Sequence, residues 1–134
     1  MTALHPEVMT ASQRAVFEAL GPFLRERGFY LVGGTAVAIH LGHRRSVDLD
    51  WFTGEALPDP LRLAEALRRE IGGLDVGSVA PGTLHAEAGG VLLSFLEYRY
   101  PLLRDPVEWE RYGCRLASLE DLACMKLSAI SSRG

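Results

Sequence analysis

Asp48 and Asp50 are separated by a single residue, and a glycine pair, Gly33-Gly34, stands upstream of them. On a strand, side chains two apart share a face. Ser46, Asp48 and Asp50 are therefore expected to point one way, and Val47, Leu49 and Trp51 the other. Two carboxylates on one face of a largely apolar strand repel each other and are costly to bury. A divalent cation answers both penalties, and Mg²⁺ commonly takes one or two carboxylates together with the phosphate oxygens of a substrate. The glycine pair suits the other half of such a site. Glycine accepts φ > 0 and leaves room beside the main chain, and free N–H groups at a helix N-terminus form an anion site. The chemistry these residue types support is metal-assisted handling of phosphate.

These groups need elements to hold them. The apolar run at 29–32 reads as a buried strand. Residues 35–41 read as a short helix closed by Gly42, and 46–52 as a second strand. Upstream, 10–27 has helical periodicity, with Val16, Phe17, Leu20, Phe23 and Leu24 as its apolar stripe and Thr10 or Ser12 as cap. Gly21-Pro22 inside that pattern predicts a break or kink. Downstream, Asp59 and Pro60 predict a helix start, and 60–71 is amphipathic, with Leu61, Ala64, Leu67 and Ile71 inward. Strands are expected at about 74–80, 83–88 and 90–98, with Gly89-Gly90 as a hairpin turn, and 101–112 as a connection. A short strand is expected at 114–117. Ser118-Leu-Glu-Asp121 then matches the pattern that opens a helix.

Composition narrows the class. The chain has 134 residues, a length suited to one domain with a workable core. Its net charge of −3 provides no general basic field for nucleic acid, so any such contact must be local. Cys114 and Cys124 do not make a disulfide framework, and reduced thiols in a cytoplasmic protein are expected. No segment has the length of apolar sequence that a membrane span needs, and no signal peptide is visible.

Strand, Gly-Gly, short helix and then Asp-x-Asp on the next strand resembles the DNA polymerase β-like nucleotidyltransferase superfamily. More closely, Phe29-Tyr-Leu-Val-Gly-Gly-Thr-Ala36 with His43-Arg-Arg-Ser-Val-Asp-Leu-Asp-Trp-Phe52 is similar to the AbiEii/AbiGii toxin family of nucleotidyltransferases. The resemblance extends to Leu119-Glu-Asp-Leu-Ala-Cys-Met-Lys-Leu-Ser-Ala-Ile130. It implies an α+β fold of polymerase β type, a mixed and mainly antiparallel sheet with helices packed on one face. It implies transfer of a nucleoside monophosphate from an NTP to a macromolecular acceptor, assisted by Mg²⁺ or Mn²⁺, and a toxin role in a toxin–antitoxin or phage-defence system.

The resemblance also assigns residues. Asp48 and Asp50 would hold metal and act in catalysis. Gly33, Gly34 and Thr35 would hold the triphosphate, with Ser46 reaching its γ-phosphate and Arg44 or Arg45 binding nucleotide or acceptor. The superfamily usually brings a third carboxylate from a neighbouring strand. Glu97 is the candidate, although the aligned position falls nearer Ser94, on the opposite face from Glu97. Lys126 matches a lysine associated with the family's active site. The implied partners are NTP, an RNA (tRNA) or protein acceptor and a cognate antitoxin, with no membrane. Residues 1–134 are expected to form one nucleotidyltransferase domain without the family's C-terminal helical region. Two other readings stay open. One is a non-catalytic domain that binds nucleotide or a partner, and the other is an antitoxin-type minimal nucleotidyltransferase that modifies a partner protein.

Overall fold

The computed structural model describes residues 3–43 and 46–133. Among the described residues seven strands form one sheet: β1 (Phe29–Val32), β2 (Leu49–Thr53), β3 (Asp75–Ala80), β4 (Thr83–Ala88), β5 (Val91–Glu97), β6 (Val107–Trp109) and β7 (Cys114–Leu116). The helices are α1 (Ala11–Glu26), α2 (Gly33–Leu41), α3 (Pro60–Glu70) and α4 (Leu119–Arg133). The strand order is β3-β4-β5-β2-β1-β7-β6. The β2–β5 and β1–β7 pairs are parallel and the other pairs antiparallel, which gives the mixed, mainly antiparallel sheet expected.

Strand alternation divides the sheet into two faces. Leu49 and Trp51 of β2, Leu93 and Phe95 of β5 and Leu84 of β4 are all buried. They face α1 and α3, whose apolar stripes supply Phe17, Leu20, Leu63 and Leu67. Phe17 anchors this core against Trp51 at 5.5 Å, Tyr112 at 5.6 Å and Trp109 at 5.8 Å between ring centroids. The intervening residues Asp50, Phe52, Ser94, Leu96 and His85 belong to the opposite face, where α4 forms a second wall.

Several expectations are corrected. The helix α1 runs unbroken through Gly21-Pro22. Its cap is Thr10, whose hydroxyl accepts from the Gln13 N–H while the Gln13 side chain accepts from the Thr10 N–H. In α3 the inward stripe is Pro60, Leu63, Ala64 and Leu67, and Leu61 is exposed. The connection at 101–112 contains a strand, β6, paired with β7. Ser46, Val47 and Asp48 lie outside β2, which begins at Leu49.

Candidate active site

The last residue of β1, Val32, pairs with Asp50 of β2. Asp50 pairs with Ser94 of β5, and Ser94 with His85 of β4. Register alone thus sets Val32, Asp50, Ser94 and His85 in one row across four strands. Immediately after Val32 the chain turns into α2, whose N-terminus has no side-chain cap, so its first N–H groups are free for an anion. Leu122, Met125 and Lys126 of α4 stand across from the row. Together with Gly33, Gly34, Val37, Phe52 and Leu96 these residues bound a cleft of about 620 Å³.

Gly33 joins the two halves of the site. Its φ is +74°, and a Cβ placed there would lie 2.6 Å from Asp50 Oδ2. The turn and the carboxylate are in contact only because residue 33 lacks a side chain. Burial raises the Asp50 pKa first, and the neighbouring Asp48 charge raises it further. The neighbouring Ser94 hydroxyl and His85 oppose that rise. A cation beside Asp48 and Asp50 would offset both effects. Among the described residues no three His, Cys, Asp or Glu side chains are grouped closely enough to form a metal site on their own. Two carboxylates suit a hard cation that completes its shell with phosphate oxygens and water.

Gly33, Gly34, Asp50 and Lys126 all line the cleft, and Asp48, two residues ahead of Asp50, is exposed. Thr35 is buried and its hydroxyl donates to the Asp48 carbonyl, so that hydroxyl positions the aspartate segment and is not offered to phosphate. Ser46 is absent from the cleft lining, and its carbonyl accepts from Gln13 Nε2 at 2.6 Å. Glu97 is a correction. It pairs with Thr53, away from the cleft, and its carboxylate accepts from the Leu57 N–H at 2.7 Å and from Arg99 at 2.9 Å. These bonds hold it below the usual carboxylate range. Arg44 and Arg45 lie outside the described residues.

His85 is the cleft residue that sequence reading missed. A lone histidine on a strand carries no motif. Yet a two-residue turn at Gly89-Gly90 pairs Ala88 with Val91, and counting back from that pair opposes His85 to Ser94.

A family model described as nucleotidyl transferase AbiEii toxin, Type IV TA system, matches residues 14–134. The chain belongs to the AbiEii nucleotidyl transferase toxin family. A relative from Aquifex aeolicus (strain VF5), the uncharacterized protein aq_aa25, is 40% identical over 109 residues, 79% of this chain and 52% of the relative. The chain thus spans about half the length of that relative. Solved structures share the fold at low identity. ANT(2")-Ia in complex with adenylyl-2"-tobramycin has a TM-score of 0.59 at 17% identity, covering 92% of this chain and 78% of that one. A tRNA-processing enzyme in its apo form has a TM-score of 0.56 at 24% identity, covering 88% and 36%. These neighbours place this AbiEii-family chain in the polymerase β-like nucleotidyltransferase fold.

The contact at Gly33 makes a test of the site. In this AbiEii-family protein, Gly33→Ala should push the Asp50 carboxylate aside and strain a left-handed residue, at a cost of about 1–3 kcal/mol. Calorimetric titration with Mg²⁺ and a non-hydrolysable NTP should show affinity reduced about tenfold or more, equivalent to about 1.4 kcal/mol. Unchanged affinity in a folded Gly33→Ala protein would show that the contact has no part in binding.

Proposed function

We propose that the protein transfers a nucleoside monophosphate from an NTP to a hydroxyl of an RNA acceptor, with tRNA the first candidate, and acts as the toxin of a two-component system with a cognate antitoxin. The single observation that carries this reading is the abutment of Asp50 on the Gly33 turn, inside a cleft that Lys126 also lines. Free N–H groups at the start of α2 suit the triphosphate, and the lysine adds positive charge on the opposite wall. Asp48 and Asp50 would hold Mg²⁺ or Mn²⁺, which when bound neutralises phosphate charge and helps to align attacking and leaving oxygens. Gly34 and the Thr35 N–H complete the phosphate side. The tRNA-processing neighbour supports RNA as the acceptor class.

The absence of a third carboxylate among the described cleft residues favours a second reading, in which the chain binds NTP with little turnover. One assay separates the two. Purified protein is incubated with Mg²⁺, each α-³²P-labelled NTP in turn and in vitro-transcribed tRNA. Transfer predicts label on tRNA with one NTP preferred, together with a melting temperature that rises when Mg²⁺ and that NTP are added. A thermal shift without label would favour the binding-only reading. Neither shift nor label would remove both. Among the described residues no helix is long and apolar enough to cross a membrane.

A further inference from the structure

We propose that His85 is the general base of the transfer, taking the proton of the acceptor hydroxyl through Nε2. The inference rests on the transferase reading and adds to it a residue in the row beside Asp50.

His85 Nδ1 lies 2.9 Å from the Ser94 hydroxyl oxygen, so that ring nitrogen is engaged with Ser94. In the proposed base Nδ1 carries the ring proton, donated to that oxygen, and in a neutral imidazole this leaves Nε2 bare. His85 is exposed and lines the cleft, so an acceptor entering from solvent can reach it. Among the described residues His85 and the two aspartates are not grouped closely enough to hold one metal ion together, which leaves the lone pair for a proton. Of the charged groups, Asp50 and Lys126 line the same cleft as His85, and Glu87 lies two residues further along β4.

The step balances with NTP and acceptor alone. The acceptor O–H bond breaks and its proton passes to Nε2. The freed oxygen forms a bond to the α-phosphorus. The bond from the α-phosphorus to the oxygen bridging it to the β-phosphate breaks, and its electron pair leaves with pyrophosphate. A base held in hydrogen-bond reach of the reacting proton contributes on the order of 10²–10⁴-fold.

The test has two arms. Long-range ¹H–¹⁵N spectra of the intact chain should show His85 as the Nδ1–H tautomer, with that preference lost in Ser94→Ala. An Nε2–H tautomer in the unaltered protein overturns the assignment whatever the turnover. In the second arm, pyrophosphate release is followed with Mg²⁺, each NTP and in vitro-transcribed tRNA. His85→Gln should lower kcat by about 10²–10³-fold while NTP affinity stays within about twofold. In His85→Gly, added imidazole should restore part of the rate, which a merely structural role would not allow. Full activity in His85→Gln overturns the base and leaves the transferase reading standing. No pyrophosphate from the unaltered protein, despite NTP binding, overturns both.

Discussion

Asp50→Asn is expected to cut nucleotidyl transfer by about 10²–10³-fold and, in the same protein, to raise the melting temperature of the nucleotide-free form. The two effects have one cause. Asp50 is half-buried beside Asp48, and burial first and the Asp48 charge second hold its pKa above the ordinary carboxylate value. The sign follows by linkage. The unfolded chain releases this proton at a lower pH than the folded chain does. Folded stability therefore declines as pH rises through the ordinary carboxylate range, and above the folded-state pKa the full penalty persists. At neutral pH the ionised carboxylate destabilises the fold. Asparagine keeps the shape, and its carbonyl can still accept from Ser94, but the charge is gone. Relief of about 1 kcal/mol corresponds to about 2–4 °C in a chain of this size. The same charge is what a divalent cation and a developing phosphate charge require, and losing one such electrostatic contributor costs about 10²–10³-fold. Label transfer from NTP to tRNA measures the first effect, and thermal melts with and without Mg²⁺ and NTP measure the second. The ligand-dependent rise present in the unaltered protein should vanish in Asp50→Asn. A melting temperature lowered by several degrees would show instead that the carboxylate is a structural group.

The Gly33 turn and Asp50, which one cleft brings together, were legible because each rests on local chemistry. A glycine at positive φ and a pair of carboxylates announce themselves in a few residues, and so do the strand pairs bounded by Gly72-Gly73 and Gly89-Gly90. Contacts between distant segments were not legible. The stretch at 46–48 has the alternation of a strand, but Gln13 Nε2 takes the Ser46 carbonyl and the Thr35 hydroxyl takes the Asp48 carbonyl. These carbonyls serve helix side chains, and the ladder begins only at Leu49. In α3 the stripe 60, 63, 64 and 67 has the same helical spacing as the expected one. Only docking against β3 and β4 selects Pro60 and Leu63 over Leu61. Strand β6 has three residues, too few to show any period. His85 acquires meaning only through Ser94 and Asp50, two strands away.

The expected break in α1 was the largest error in the fold, and its cause predicts the largest loss of stability. Pro22 is exposed and so is Glu18, whose carbonyl it leaves without an N–H partner. Water can satisfy that carbonyl, so the proline costs less than it would in a buried turn of helix. Gly21 faces inward and is buried, and its role is contact with the turn between β6 and β7. A Cβ at residue 21 would clash with the Tyr112 carbonyl oxygen and lie 3.5 Å from the Cys114 Cβ. The obstacle is backbone, so no rotamer change relieves it. The turn itself is held by N–H bonds from Tyr112 to Trp109 and from Gly113 to Glu110, each 3.2 Å. Replacing glycine in a helix normally gains up to about 1 kcal/mol in propensity. Overpacking a close-packed site costs about 1–3 kcal/mol and occasionally more. The clash should therefore win. Gly21→Val, with a branched side chain at the same point, is expected to lose at least about 3 kcal/mol and to lower the melting temperature by about 10 °C. Gly21→Ala should fall between it and the unaltered protein. Pro22→Ala restores an N–H to the Glu18 carbonyl and should leave the melting temperature unchanged or raised. A Gly21→Val protein that melts with the unaltered one would mean that the β6–β7 turn does not rest on α1, and that the helix passes through Gly21-Pro22 for another reason.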